Sequence, residues 1–431
     1  MNIRELLNIM VKQNSSDVYI TVDSPPMFRT EGVTRPFGDK QVTSAQAEEM
    51  ASSIMTEKQK IKFAESLEMN LALYYPELGR FRVNILRQKG YTALVIRQIK
   101  MEISTVDELG LPSNLKDIAM CSRGLVLVVG RTGTGKSTTL AGMIDHRNEN
   151  ATGHIITIED PIEFLHSHKK MIVSQRELGL DTLSVGNGLK NAMRAAPDVI
   201  LVGEIRDTDT MEAAITFAET GHLVLATLHS NNANQAMERI LNFFPHERHE
   251  QILLQLSLNL KAIISQRLVP STNEMRVAAT EILLDTPRVK DLIYKNKIDL
   301  LKEAMSKGTV EGMHTFDQSL FDLYKKGLIT YDSALSYADS VNDLRLRIKI
   351  DEVGDEIYQQ KGIYKENNII INKSISLIGE EGVVIDGEDA GGIIIFEADN
   401  FAIRSLKIIN VGMSYTIDYA AIKVIKATNF T

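Results

Sequence analysis

The stretch GLVLVVGRTGTGKSTT, residues 124–139, decides the fold of the chain around it. Its first half is an apolar run, which predicts a buried strand, and its second half fits the pattern G-x-x-x-x-G-K-[ST] before a helix-like stretch. Loops of this pattern surround a β-phosphate with backbone N–H groups, and the helix dipole behind them favours the same anion. A chance glycine-rich turn is the alternative, but four fixed positions between a strand and a helix favour a nucleotide site.

The pattern gives each residue of this loop an expected place at the nucleotide. Lys136 would reach the β- and γ-phosphates, and the hydroxyl of Ser137 would ligate Mg²⁺. ATP and Mg²⁺ are therefore the predicted ligands. The predicted nucleotide-binding residues are Gly130, Thr132, Gly133, Thr134, Gly135, Lys136, Ser137 and Thr138.

Composition limits the class of protein. The chain has 431 residues, 44% of them hydrophobic and 24% charged, which is typical of a globular protein of several domains. A net charge of −8 argues against wholesale nucleic-acid binding, although it leaves room for a local basic patch. Cys121 is the single cysteine, so an intramolecular disulfide and a multi-cysteine zinc knuckle are excluded. No transmembrane span and no secretion signal are predicted, and the expected location is the cytoplasm.

Three continuous apolar runs follow the loop and predict a parallel sheet covered by helices on both faces. They are HIITIED (154–160), DVILVGEIRD (198–207) and HLVLATLHS (222–230), with a helix predicted over 208–219. The fold class is therefore α/β, and a phosphate site would lie at the carboxyl ends of these strands.

The remaining segments have other patterns. Before the loop, the predicted elements are a helix over 2–13, a strand over 17–22, two helices within 43–65 capped by Thr43 and Thr56, and three strands between 70 and 99. After the sheet we expect helices over 235–268, a strand over 276–285 and helices over 286–340, and then short isoleucine-rich strands. The predicted division is 1–110, an α+β domain; 111–285, the nucleotide domain; 286–352, a helical part; and 353–431, an all-β tail.

Acidic side chains end two of the apolar strands. Glu159, Asp160 and Glu163 lie in ITIEDPIEF and can hold the waters of a metal ion or orient a nucleophilic water. A solvated strand end is the alternative. Glu204 ends the run over 199–202 and can order Mg²⁺ or act as a base toward water. Arg206 and Asp207 follow it and could pair with each other instead.

Histidines and arginines form two further groups. His222 and His229 flank one apolar strand, and a pair beside a nucleotide favours a γ-phosphate or interface sensor over two satisfied core histidines. Arg80 and Arg82 share one face of a strand in the first domain, and Arg97 follows on another. Arginines in such positions are most often solvated surface residues. Arginines that reach a phosphate from a second domain would instead make hydrolysis depend on domain closure.

Four boxes in order over about a hundred residues resemble the PilT/PilU family of type IV pilus twitching-motility ATPases. They are GRTGTGKSTT, ITIEDPIEFLH, RAAPDVILVGEIRD and TGHLVLATLHSNNA. SLNLKAIISQRLVP, GMHTFDQSLFDLY and YADSVNDLRLRIK are more similar to the PilU branch. RVKDLIYK (288–295) departs from the AIRNLIRE-type motif of PilT, which puts in doubt pilus retraction by this protein alone.

The resemblance implies a PAS-like N-terminal domain, a RecA-like motor domain, a homo-hexameric ring, a sister retraction ATPase and work on an inner-membrane platform protein, with the ring peripheral at that membrane. It implies the following catalytic residues: Glu204 as catalytic acid, Glu159 and Glu163 as supporting carboxylates, His222 and His229 as sensors, and Arg82 and Arg97 as arginines approaching ATP. The pilus-assembly and type II secretion ATPases, which carry a multi-cysteine zinc module, rank second.

The tail has a different resemblance. NKSISLIGEEGVVIDG and GGIIIFEADNFAIRSLKIINVG are similar to coils of a NosD-type right-handed parallel β-helix. About three coils are expected, arising from a natural fusion, a shortened chain or two joined reading frames. We predict no ATPase role for the tail. A sugar-binding β-helix protein remains a further interpretation, and a weakly hydrolysing structural partner of another motor remains an alternative for the chain before it.

Overall fold

The computed structural model describes residues 2–30, 32–99, 102–273 and 275–353, and the tail segments 356–359, 363–365, 369–371, 376–379, 383–389, 394–396, 402–411 and 421–424. Two compact units are present, one formed by 1–319 with 326–329 and the other by 320–325 with 330–431. The four-part division remains a prediction.

The N-terminal part is a six-stranded antiparallel sheet with three helices. Its sheet order is β3-β2-β1-β6-β5-β4. The elements are α1 (Ile3–Lys12), β1 (Asp17–Ile20), β2 (Met27–Thr30), β3 (Val33–Pro36), α2 (Ser44–Ile54), α3 (Glu57–Ser66), β4 (Glu68–Tyr75), β5 (Gly79–Gln88) and β6 (Tyr91–Ile99). Thr43 and Thr56 cap α2 and α3 in capping boxes, as predicted. On β5, buried Phe81, Val83 and Ile85 alternate with half-buried Arg80 and Arg82 on the opposite face.

The second sheet has seven strands in the order β13-β12-β7-β11-β10-β8-β9. All neighbours are parallel except β12 and β13, which form an antiparallel pair. The elements are α4 (Asn114–Ala119), β7 (Gly124–Val129), α5 (Lys136–Asn150), β8 (Gly153–Glu159), β9 (Met171–Glu177), α6 (Val185–Ala192), β10 (Val199–Val202), α7 (Thr208–Glu219), β11 (Leu223–Leu228), α8 (Ala233–Asn242), α9 (His249–Asn259), β12 (Leu260–Pro270) and β13 (Arg276–Leu284).

Strand β7 shows why its sequence is apolar throughout. Leu125, Leu127 and Val129 belong to one buried cluster, whereas Val126 and Val128 belong to another. Because alternate side chains point to opposite faces, a strand covered on both sides has no polar face. The predicted α/β fold is confirmed.

Two predictions along this sheet need correction. The helical region expected over 235–268 contains α8 and α9 and ends at Asn259, and the residues after it form β12 beside β7. Ile263 and Ile264 are both buried, one in each core cluster, so this run has the two-sided burial of a central strand, which periodicity does not separate from a buried helix. Strand β9 and helix α6 were also missed. Strand β9, with the sequence MIVSQRE, is an edge strand with few apolar residues and therefore has a weak strand pattern.

Helices follow the second sheet, as predicted for 286–340. They are α10 (Pro287–Tyr294), α11 (Leu301–Lys307), α12 (Phe316–Lys325), α13 (Tyr331–Tyr337) and α14 (Val341–Val353). Pro287 starts α10 at the position where a missing N–H has no cost, and Thr286 caps it. No helix in the described part of the chain is both long and apolar enough to cross a membrane.

The tail forms three short parallel sheets. The strands are β14 (Glu356–Gln359), β15 (Ile363–Lys365), β16 (Ile369–Ile371), β17 (Ser376–Gly379), β18 (Val384–Asp386), β19 (Ile394–Phe396), β20 (Ala402–Arg404), β21 (Lys407–Ile409) and β22 (Ile422–Val424). Their orders are β14-β17-β20, β15-β18-β21 and β16-β19-β22, so every third strand is a neighbour. Such pairing is that of a parallel coil with three strands to a turn, which fits the predicted β-helix-like tail; the NosD resemblance stays a prediction.

Candidate ATP-binding and hydrolysis site

A cleft of about 550 Å³ opens at the carboxyl ends of β7, β8, β10 and β11. The lining residues come from every predicted box. They are Thr132, Gly133, Gly135, Lys136, Ser137, Thr138, Leu140, Ala141, Glu159, Asp160, Pro161, Glu163, Phe164, His166, Leu201, Gly203, Glu204, Arg206, Thr227, His229, Leu268 and Arg276.

The loop between β7 and α5 is shaped by its glycines. Gly130 has φ +156°, and a Cβ there would lie 2.5 Å from Thr134 Oγ1 and 2.7 Å from the carbonyl oxygen of Gln266. Gly135, with φ +87°, caps α5 without a side-chain hydrogen bond, so its position leaves the first N–H groups of the helix uncapped by a side chain. Thr134 Oγ1 donates within the loop to the carbonyl of Arg131 at 2.9 Å. This cradle suits a phosphate.

Lys136 lies inside this loop and is 9% exposed. Its Nζ donates to the carbonyl oxygens of Gly130 and Arg131, at 2.9 and 3.0 Å. Burial lowers the pKa of Lys136, while the charges of Glu204 and Glu163 oppose that shift. The lysine therefore faces two carboxylates across the cleft, where a bound phosphate would bring further negative charge.

Glu204 is the centre of a charged network in the cleft. Its Oε1 lies 2.9 Å from His229 Nε2, and its Oε2 lies 2.7 Å from the guanidinium of Arg206. Arg206 also contacts Asp160 Oδ2 at 3.0 Å, and its pairing with Glu204 raises its pKa. Asp207 instead caps α7 by accepting from the Thr210 N–H at 2.8 Å. The suggested pairing of Arg206 with Asp207 is therefore wrong.

Glu159 and Glu163 both line the cleft, in different surroundings. Glu163 is exposed. Glu159 Oε1 accepts from Thr157 Oγ1 at 2.6 Å and from Gln175 Nε2 at 3.2 Å. Burial raises the pKa of Glu159 to about 7, although these hydrogen bonds act in the opposite direction. Glu159 can therefore exchange a proton near neutral pH.

His222 does not belong to the cleft of this chain. It precedes β11, whereas His229 follows it, and a six-residue strand spans about 20 Å. His222 Nδ1 lies 3.1 Å from both the Phe217 carbonyl and Thr220 Oγ1. Within this chain the cleft lining therefore includes His229 and not His222, and the sensor roles of both histidines stay predictions.

The arginines of the N-terminal sheet also lie away from the cleft lining. Arg97 Nε donates to Asp17 Oδ1 at 2.8 Å, within the same sheet. Arg82 Nε lies 3.9 Å from Glu177 Oε1 at the end of β9. Neither is brought to the loop in this conformation, and their approach to ATP stays a prediction.

Sequence reasoning missed two supports of the site. Gln266 of β12 accepts from Thr139 Oγ1 at 2.7 Å and so lies directly beneath the phosphate loop. Arg276 of β13 lines the cleft beside Leu268. Only a correct prediction of β12 would have placed both near the loop, because β12 is the neighbour of β7.

A phosphate loop, a glutamate and a histidine at the carboxyl ends of the parallel strands of one sheet define a phosphate-loop ATPase. The family model of the type II/IV secretion system proteins matches residues 2–314. The chain belongs to this family.

Particular relatives narrow the comparison. The chain is 51% identical to the type IV pilus ATPase PilU of Pseudomonas aeruginosa over 356 residues, which are 82% of this chain and 93% of PilU. It is 42% identical to the retraction ATPase PilT of the same organism over 334 residues, 78% of this chain and 97% of PilT. The crystal structure of the pilus retraction motor PilT with bound ADP matches with a TM-score of 0.75 and 39% identity over 80% of this chain and 99% of that one.

Proposed function

We propose that this protein is an ATP-hydrolysing motor that assists the retraction of type IV pili. The observation that carries this proposal is the position of Glu204, which lies in one cleft with Lys136 and Ser137. Glu204 follows the carboxyl end of β10 and the lysine and serine follow that of β7, with β11 between the two strands. The likeness to PilU and PilT supplies the pilus as the system in which hydrolysis would be used.

The residues of the cleft fit ATP and Mg²⁺. The cradle at Gly130 and Gly135 and the uncapped start of α5 suit phosphate oxygens. Ser137 would hold Mg²⁺ together with the phosphates, and Glu159, Glu163 and Glu204 can hold its waters. When bound, the ion neutralises charge on the phosphates.

Glu204 is the proposed general base. One of its oxygens lies beside His229 and the other beside Arg206. These two contacts fix the orientation of the carboxylate just after the carboxyl end of β10. It would orient a water and accept its proton, while Lys136 would stabilise the charge on the phosphoryl oxygens. His229 would hold Glu204 in place and respond to the loss of the γ-phosphate.

In the proposed motor, ATP hydrolysis in this cleft would cause movement by being coupled to the other subunits of a ring. A homo-hexamer at the inner membrane, acting on a platform protein beside a sister retraction ATPase, is part of the proposal because it follows from the resemblance. Binding would order the N-terminal domain against the motor sheet, and hydrolysis would release it.

The test is steady-state ATP hydrolysis by the full chain and by Glu204→Gln. We expect kcat to fall about 100-fold or more, since general-base catalysis contributes roughly 10²–10⁴-fold. Binding of a fluorescent ATP analogue should persist, because glutamine keeps the shape of the side chain that it replaces. Glu250→Gln, an exposed glutamate on α9, is the matched control and should retain the parent rate.

If parent and Glu204→Gln are equally inactive while nucleotide binds to both, the motor proposal is wrong and a structural partner of another ATPase is favoured. Pilus retraction in strains that lack this protein, with and without the sister motor, tests the cellular part. Unchanged retraction in both backgrounds would contradict the pilus assignment.

A further inference from the structure

Glu177 is a buried carboxylate for which the proposed hydrolysis has no use. It ends β9, and the residue is 1% exposed. Its Oε2 has no hydrogen-bond partner among the described residues, although its backbone N–H donates to Asp181 Oδ2 at 2.9 Å. Because an unpaired buried carboxylate is costly, a cation or donor is expected close to it.

Two arginines of the N-terminal sheet lie close to Glu177. Arg82 Nε of β5 lies 3.9 Å from Glu177 Oε1. Arg80, two residues earlier on the same face of β5, is close enough for its charge to lower the pKa of Glu177, although burial has the larger and opposite effect. Arg80 Nε is itself buried without a hydrogen-bond partner among the described residues. One buried donor and one buried acceptor are thus left unsatisfied at the junction of the two sheets.

Glu177 is also connected to the acidic loop of the cleft. Its carboxylate accepts a hydrogen bond from the backbone N–H of Ile162, which lies between Asp160 and Glu163. Glu177 is the register partner of Glu159, and the Leu178 N–H donates to the Glu159 carbonyl at 2.9 Å. A displacement of this loop therefore displaces the carboxylate that the arginines approach.

We propose that Glu177 is a positioning residue that docks the N-terminal sheet on the motor sheet by receiving Arg80 and Arg82. The 3.9 Å approach of Arg82 and the two unsatisfied atoms describe a contact that a small closure would complete. In the closed arrangement Glu177 receives both guanidinium groups, which is the geometry in which a buried carboxylate is best satisfied. This role goes beyond the proposed function, because it sets how the N-terminal domain sits on the motor whether or not nucleotide is bound.

The experiment measures the distance between the two parts of the full chain without nucleotide. Fluorescent labels are placed by Ile61→Cys on α3 and Met193→Cys after α6, both exposed positions, in a Cys121→Ser background. We expect Glu177→Gln and Arg82→Gln each to give lower and broader energy transfer than the parent. The double variant should add little to either single change, because each removes the same contact.

Matched variants separate docking from folding. Arg87→Gln removes another arginine of β5, which pairs with Glu48 of α2 within the N-terminal part, and should leave energy transfer unchanged. Glu177→Asp keeps the charge and should restore most of the transfer. If Glu177→Gln does not fold, Arg80→Gln and Arg82→Gln, which keep Glu177, decide the question.

Parent-like transfer in Arg80→Gln and Arg82→Gln, or fully additive effects in the Glu177→Gln, Arg82→Gln pair, would overturn the proposal. No nucleotide is present, so failure of the proposed ATPase cannot produce these outcomes. Conversely, a docked domain in an inactive enzyme would leave this proposal standing and the hydrolysis proposal wrong.

Discussion

Lys136 is the residue on which the affinity of the cleft for a phosphate depends most directly. Its Nζ donates to two carbonyl oxygens of its own loop, those of Gly130 and Arg131. Those hydrogen bonds hold the loop in its curved shape. They also give the buried ammonium group of Lys136 two acceptors. The same ammonium group is the strongest donor available to an anion in the cradle.

Lys136→Ala should weaken binding of an ATP analogue by roughly 10- to 100-fold, since hydrogen bonds to a charged group contribute about 1.5–3 kcal/mol. The measurement is a fluorescence titration with a labelled ATP analogue. Lys190→Ala, an exposed lysine of α6, is the control. Parent-like affinity in Lys136→Ala would show that the cradle does not hold phosphate.

Glu159 should make the stability of the chain depend on pH. Burial raises its pKa from 4.5 to about 7 in the folded state, so the folded protein keeps this proton longer than the unfolded one. The stabilisation is complete below pH 4.5 and is lost as the pH rises to about 7, by up to about 3 kcal/mol. Glu159→Gln removes this contribution. The free energy of unfolding of the parent should therefore fall relative to the variant between pH 4.5 and 7.

Urea unfolding at several pH values measures this difference, with exposed Glu49→Gln as the control. A constant difference between parent and Glu159→Gln across the range would contradict the assignment. Sequence reasoning placed Glu159 at the end of the strand that borders the cleft. It could not tell that Glu159 is the more buried of the two glutamates and Glu163 the more exposed. Their difference depends on Gln175, which reaches Glu159 from the neighbouring strand.

At the level of elements, the phosphate loop depends on close packing against β12. The space beside Gly130 is bounded by the Gln266 carbonyl and Thr134, and its φ of +156° is disfavoured for residues with a side chain. Gln266 also accepts from Thr139 on α5. Strand, loop and helix are therefore held in one arrangement by contacts from a strand that lies far later in the sequence.

Gly130→Ala should lower the free energy of unfolding by about 2 kcal/mol or more, because a Cβ would lie 2.7 Å from a backbone oxygen in a conformation unfavourable to alanine. It should also weaken nucleotide binding. Gly186→Ala is the control, since it lies in α6 with no heavy atom within 4 Å of the added Cβ. We expect it to be neutral or to stabilise by up to about 1 kcal/mol. Urea unfolding of both variants checks this; equal effects would be evidence against the packing argument.

The elements also show where local sequence is informative and where it is not. The caps at Thr43 and Thr56 and helix α7 were predictable because their signals lie within a few residues. Strand β12 was not, because its environment is created by β7 far away in sequence. The place of His222 could have been corrected from the length of β11 alone, since a residue before a strand and a residue after it lie at opposite edges of the sheet.

For the whole molecule, the residues that line the cleft and the strands of the tail lie in different parts of the sequence. The last residue that lines the cleft is Arg276, before α10 begins. In the described part of the tail, the strands β14 to β22 pair with one another and with no strand of either larger sheet. The change of composition near Val353 therefore coincides with a change from mixed sheets and helices to short parallel coils, as the sequence predicted.

A chain ending at Val353, the last residue of α14, should hydrolyse ATP with kcat and KM within about twofold of the full chain. Of the described residues that are removed, none lines the cleft, and changes at sites with no shared partners usually act independently to within about 0.5 kcal/mol. Steady-state hydrolysis of the shortened and full chains measures this, and Glu204→Gln in the shortened chain checks that the activity is its own. Thermal unfolding monitored by circular dichroism separates loss of folding from loss of catalysis. A shortened chain that is folded, binds nucleotide and does not hydrolyse it would assign the tail a part in the ATPase cycle and contradict this prediction.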